Sequence, residues 1–155
     1  MSIIVPNKII LHCSATKDTD SLSWRAIQEY HVRTLGWDDI GYHYGIENVG
    51  GELILLKGRH PNTKGAHCKA KGRNSDSLGV CVVGNYDEVP PSEERWDKTV
   101  DFLAQLCFVF DIESKDVYGH CEFEPMKTCP GKMWDLDLLR GEVEFTLSEH
   151  YEGWI

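Results

Sequence analysis

Three of the seven histidines, His12, His43 and His120, fall where apolar runs give way to polar segments, and His67 lies in a basic stretch. Strand ends that feed loops are where α/β proteins place their sites. His120 is followed by Cys129 across a segment containing Pro125 and closed by Pro130. Two imidazoles and a thiolate are suitable zinc ligands, and three protein ligands leave a fourth position open for water. Spacing alone leaves this reading open, because His12 is remote from His120 and a lone strand histidine is often a satisfied core residue. Cys13 and Cys121 adjoin two of these histidines, but neighbours on a strand point to opposite faces. Cys13 is therefore read as core and Cys121 as outside the ligand set.

The elements that must position these residues follow from the apolar pattern. Lys8–Cys13 reads as a buried strand that emerges at Ser14. Trp24, Ile27, Tyr30 and Leu35 have helical spacing between Ser21 and Gly36, with Ser21 or Ser23 as cap. Tyr42–Val49 and Glu52–Leu56 flank Gly50-Gly51, a hairpin signal. His60–Ser77 reads as a long binding loop and Leu78–Val83 as a second buried strand. Pro90-Pro91-Ser92 opens a helix whose core stripe is Trp96, Val100, Leu103, Cys107 and Phe110. Val117–His120 is a short strand, Cys121–Lys132 a loop, and Leu136–Glu144 a last short helix. The tail over 141–155, through Trp154 and Ile155, carries no assignment beyond that helix. Strands interleaved with helices predict one α/β domain spanning 1–155, a mixed sheet of about five strands flanked by helices.

Composition narrows the function classes. The 155 residues carry 16 basic and 25 acidic side chains, a formal charge of −9. Such a balance argues against nucleic acid as partner. No apolar run approaches the ~20 residues of a membrane span, so no membrane insertion is expected. The first residues lack the pattern of a secretory signal. Six cysteines without a C-x-x-C pair read as reduced thiols, with Cys81 and Cys107 as small buried hydrophobes. Lys57, Arg59, His60, Lys64, Lys69, Lys71 and Arg73 form one basic stretch, either a solvated loop or a rim for an anionic substrate.

Five motifs in order carry a family resemblance: Leu11-His12-Cys13-Ser14-Ala15-Thr16, Gly41-Tyr42-His43-Tyr44, Gly65-Ala66-His67 with Asn74, Ser77–Gly84, and His120 with Lys127-Thr128-Cys129-Pro130. The set resembles the type 2 zinc-dependent N-acetylmuramoyl-L-alanine amidases, on the T7-type phage branch, and more distantly the peptidoglycan recognition proteins. It runs from about residue 7 to residue 140. The resemblance implies one zinc ion on His12, His120 and Cys129, and catalytic roles for Tyr42 and Lys127. It places His67, with His43 and Asn74, on the substrate side, although His43 also reads as a hydrogen-bonded structural imidazole. It implies cleavage of the amide between N-acetylmuramic acid and L-alanine in peptidoglycan. A cytosolic branch of the family has glutamate where Cys81 stands, and aspartate where Cys129 stands. No carboxylate base is therefore expected on that strand.

Further readings stay beside these. Glu122 and Glu124 either orient His120 or form an exposed loop face, Trp37 and Trp134 either line a glycan groove or sit in the core, and His31 and His150 face solvent. A non-catalytic peptidoglycan-binding module, a muropeptide-recycling amidase and a Cys129/His120 hydrolase are the alternatives to an endolysin. The absence of a signal pattern and of a separate wall-binding unit suggests a monomer made in the cytoplasm that reaches the wall after release.

Overall fold

The computed structural model describes residues 2–16 and 23–151. The proposed Ser21 cap and the Trp154–Ile155 end lie outside them.

A five-stranded mixed sheet forms the centre, in the order β3-β2-β4-β1-β5. β1 (Lys8–Cys13) runs parallel to both β4 (Ser77–Val82) and β5 (Val117–Gly119). β2 (Tyr44–Val49) is parallel to β4 and pairs antiparallel with β3 (Glu52–Lys57) across the Gly50-Gly51 turn. Both turn glycines have positive φ, which removes the Cβ clash such a turn would create.

Strand alternation divides β1 and β4 between two layers. Ile9 and Leu11, with Leu78, Val80 and Val82, enter the main core beneath α2 (Glu93–Phe110) and α3 (Leu136–His150). His12 and Cys81, paired in register, face the other side, where Cys81 packs with Trp24 and Ile40. α2 starts as its sequence predicts: Ser92 accepts from Arg95 N–H, and Glu93 and Glu94 occupy the first turn.

Two helices depart from expectation. The segment after Ser23 is an α-helix only to Glu29 (α1) and continues as a π-helical turn over Tyr30–Thr34, before Gly36. Tyr30 and Leu35 are 54% and 42% exposed, so Trp24 is the residue that anchors this element to the core. Glu47 of β2 reinforces that anchor by accepting from Trp24 N–H at 2.8 Å. The last helix does not stop at Glu144. Asp135 caps it, and it runs to His150, with Leu139 and Val143 buried against the main core and Leu147 partly so. The 3–4–4 spacing of Leu136, Leu139, Val143 and Leu147 explains why most of the expected tail is helix.

No helix among the described residues is long and apolar enough to cross a membrane. Leu139 has no exposed surface and sits between α3 and the sheet. Leu139→Ala is expected to destabilise the fold by about 2–5 kcal/mol, read from urea-unfolding midpoints.

Candidate metal centre

The sheet brings the three proposed ligands together from distant parts of the chain. His12 is the penultimate residue of β1, His120 opens a 3-10 turn directly after β5, and Cys129 lies in the loop that follows. Because β1 and β5 are neighbours, His12 and His120 reach the same edge, with ring centroids 4.7 Å apart. One ligand atom from each of His12, His120 and Cys129 lies within 4.8 Å of the others.

Hydrogen bonds of the loops hold this arrangement. Cys121 N–H donates to the Cys129 carbonyl at 2.7 Å, which ties the His120 turn to the thiol-bearing loop. Cys13 N–H points at Cys129 Sγ from 3.3 Å. Asp87 clamps the same loop from the far side, accepting from Thr128 Oγ1 at 2.7 Å and from Lys132 N–H at 2.9 Å. Glu122 accepts from Gly119 N–H and pairs with Arg140, which fixes the turn that starts at His120.

Electrostatics favour neutral imidazoles here. Burial lowers the His12 pKa well below its usual value, and the neighbouring His67, His120 and Lys127 add to this. His67 is held down at about 3, chiefly by burial and then by His43. Burial lowers His120 too, against the opposing pull of Glu124. Its Nε2 is 3.0 Å from Glu124 Oε2 but off the hydrogen-bonding direction, which leaves a buried ring nitrogen unsatisfied. The side-chain hydrogen bond with Cys13, reinforced by burial, keeps Cys129 a thiol and lowers Cys13 in return. A cation among these atoms would take the place of that proton. Two neutral imidazoles and one sulfur form a donor set that suits zinc.

A groove of about 510 Å³ runs over these atoms, lined also by Tyr42, Trp37, His31 and Lys127. It continues past His120 towards Lys69, Asn74 and Glu124. A larger hollow of about 700 Å³ lies between α2, α3 and β3. It is remote from the His/His/Cys cluster, so the smaller groove is the candidate site.

A family model for N-acetylmuramoyl-L-alanine amidase matches residues 4–132. The chain belongs to that family. It is 42% identical to an endolysin of Klebsiella phage KP32 over 147 residues, covering 93% of this chain and 91% of the relative. It is 41% identical to the endolysin of Escherichia phage T7 over 132 residues, covering 81% and 83%. Drosophila PGRP-LB, solved in complex with tracheal cytotoxin, superposes with a TM-score of 0.74 at 27% identity, covering 89% of this chain and 83% of that one. The fold is thus shared by amidases and peptidoglycan recognition proteins.

Within the amidase frame, the remaining residues sort by position. Lys127 is exposed on the groove rim, on the same side as Cys129. Tyr42 packs its ring 5.1 Å from His12 and donates its hydroxyl to the Cys81 sulfur. Burial and the nearby thiols raise its pKa well above the usual phenol value. Burial likewise keeps Cys81 a thiol, so a neutral group stands opposite His12 on β4.

Several expectations are corrected. His43 is not on the substrate side: it is wholly buried, its Nε2 lies 2.7 Å from the Thr63 carbonyl, and its Nδ1 accepts from Gly79 N–H. Asn74 reaches the groove, but its Oδ1 is spent on the N–H groups of His67 and Cys68. His67 lines the groove floor with both ring nitrogens engaged. His31 does not face solvent alone; it accepts from Gly41 N–H at 2.9 Å, stacks near Trp37 and lines the groove. Cys13 both packs against the core and lines the groove. Trp134 belongs to the core, stacked on Trp96.

The basic stretch divides in the same way. Arg59 is buried and ties the Asp39, Ile40 and Lys64 carbonyls together, and Arg73 pairs with Asp76. Lys69 remains exposed along the groove. Asp87 was not signalled by the sequence, because a single carboxylate in a polar loop has no pattern.

The lowered histidines give stability a definite pH dependence without metal. His12, His43 and His67 stay neutral in the folded chain, but protonate at their ordinary value near 6.5 once unfolded. Their contribution is complete above pH 6.5 and is lost as pH falls below it, for His67 down to about 3. The slope approaches about 1.4 kcal/mol per pH unit for each such histidine. Urea unfolding in chelator should therefore show a clearly lower midpoint at pH 5.5 than at pH 7.5.

Proposed function

We propose that this chain is a zinc-dependent N-acetylmuramoyl-L-alanine amidase of the phage-endolysin type, which hydrolyses the amide joining N-acetylmuramic acid to L-alanine in peptidoglycan. The observation that carries this reading is the His12, His120 and Cys129 cluster, within 4.8 Å on the floor of a groove rimmed by Lys127. The endolysin relatives, matched over most of their length, support it.

His12, His120 and Cys129 would hold the metal. When bound, zinc supplies a Lewis acid for an amide carbonyl and a source of hydroxide near neutral pH. The rest falls to the chain itself. Burial keeps the two imidazoles neutral, so their lone pairs are free of protons. Lys127 stands where negative charge develops on the attacked carbonyl oxygen, and a fixed cation there lowers the barrier. Tyr42 keeps its proton and acts as a hydrogen-bond donor, because burial disfavours its phenolate. Trp37 offers an apolar wall to the bound wall fragment. The products are a muramic acid carboxylate and a free L-alanine amine. The protein is a monomer, made in the cytoplasm of the producing cell, that acts on the wall after release.

The decisive experiment pairs metal analysis with turbidity loss of purified peptidoglycan before and after chelation. About one zinc per chain, chelator-sensitive clearing and new L-alanine amino termini are expected; a zinc-free chain that clears equally well would refute the reading. Cys129→Ser should lose zinc and activity together. Lys127→Ala should keep its zinc and lose roughly 100-fold or more in turnover, the scale of removing one oxyanion-stabilising group.

A further inference from the structure

We propose that His67 is a positioning residue that selects which nitrogen of His12 faces the metal, presenting Nδ1 and reserving Nε2 for the interior. The inference rests on the zinc amidase reading above and departs from the substrate-side role that the resemblance implies.

The proton order is set from the interior end. His12 Nε2 and His67 Nδ1 are 2.9 Å apart, a contact with two possible directions. The other side of the His67 ring meets Ser77. Its main-chain carbonyl accepts from the ring, and its Oγ lies 3.4 Å from His67 Nε2. The Ser77 hydroxyl proton is already committed to the Arg73 carbonyl at 2.5 Å, so Oγ turns lone pairs towards the imidazole. Carbonyls only accept, so His67 Nε2 must carry the hydrogen. A neutral imidazole then has a bare Nδ1, which accepts from His12 Nε2–H. His12 is left with a bare Nδ1, the nitrogen that lies 3.6 Å from Cys129 Sγ.

The surroundings leave the His67 ring no other place. A Cβ on Gly79 would come within 2.5 Å of its Cγ, and one on Gly65 within 2.5 Å of its Cδ2. Both glycines are thus required by close approach. His43 holds the Gly79 backbone beneath the ring, and Asn74 Oδ1 holds the His67 main chain at 2.8 Å. Ligating histidines characteristically donate their second N–H to a fixed acceptor, which sets the tautomer and strengthens the ligand. Here that acceptor is a second imidazole, itself oriented by main-chain carbonyls.

An isosteric pair of variants separates this role from packing. His67→Asn keeps an acceptor close to the Nδ1 position, whereas His67→Leu has nearly the same size and none. Zinc affinity, measured on the full chain by competition with a chromophoric chelator, should be about tenfold or more weaker for Leu than for Asn. Equal affinities, or tighter binding by Leu, would overturn the proposal while leaving the amidase reading intact. Should the Leu variant not fold, long-range ¹H–¹⁵N spectra of the zinc-loaded wild-type rings decide the matter. Nε2–H tautomers at both His12 and His67 support the relay, and Nδ1–H at His12 refutes it. A wild-type chain that binds no zinc removes the amidase reading itself, and this inference with it.

Discussion

Everything at the site is referenced to one constraint, the two-residue period of the central strand β1. Ile9 and Leu11 must enter the helix-covered core, so Ile10 and His12 must face the opposite layer. A slip of one residue would drive the imidazole into the apolar core and lift Leu11 into the groove. Burial of the core strands therefore fixes the location of His12 more firmly than any local hydrogen bond. The cost of removing a polar ring from water falls on the same side, and it is offset only if both nitrogens find partners. His67 provides one partner. The space shared with His120 and Cys129 is where the other belongs.

His120 and Cys129 depend on that anchor through shorter-range means. β5 delivers His120 beside β1 by parallel pairing, and the loop from Cys121 to Pro130 then has to fold back. It does so through polar ties rather than a core: Cys121 to Cys129, Thr128 and Lys132 to Asp87, and Glu122 to Arg140. Asp87 is exposed, so each of its bonds contributes modestly, yet together they set the position of the loop. A rigid sheet with adjustable loops at its edge explains how the groove can combine a fixed imidazole with a rim residue, Lys127, that remains open to solvent.

The apolar runs made the sheet legible from sequence, because burial on both faces demands continuous hydrophobic strands. The cap and stripe of α2 were equally clear. The length of α3 was less so: its glutamates dilute the pattern, and the spacing of Leu139, Val143 and Leu147 shows only once α2 is known to lie against it. The ligand trio was legible through motif order, since nothing local links His12 to Cys129. What remained hidden was the division of labour among the other histidines. Whether an imidazole binds a substrate or braces a backbone depends on what meets its two nitrogens. For His43 these are Thr63 and Gly79, and for His67 they are His12 and Ser77. Ser77 and Arg59 look like ordinary members of a polar loop, and only the fold shows that both are buried.

The neutral thiol on β4 limits what the rest of the groove can do. A carboxylate opposite His12 could both accept a proton and stabilise cationic imidazoles. Cys81 does neither, because burial keeps it protonated, and it engages the Tyr42 hydroxyl instead. Tyr42 therefore enters chemistry as a donor whose proton is hard to remove, and Lys127 is the cation it works beside. With both groups suited to stabilising negative charge, and none of the three suited to accepting a proton, the protein's own contribution is weighted towards the developing oxyanion. That weighting follows from His12 and Cys81 sharing one register position, with a phenol packed across both.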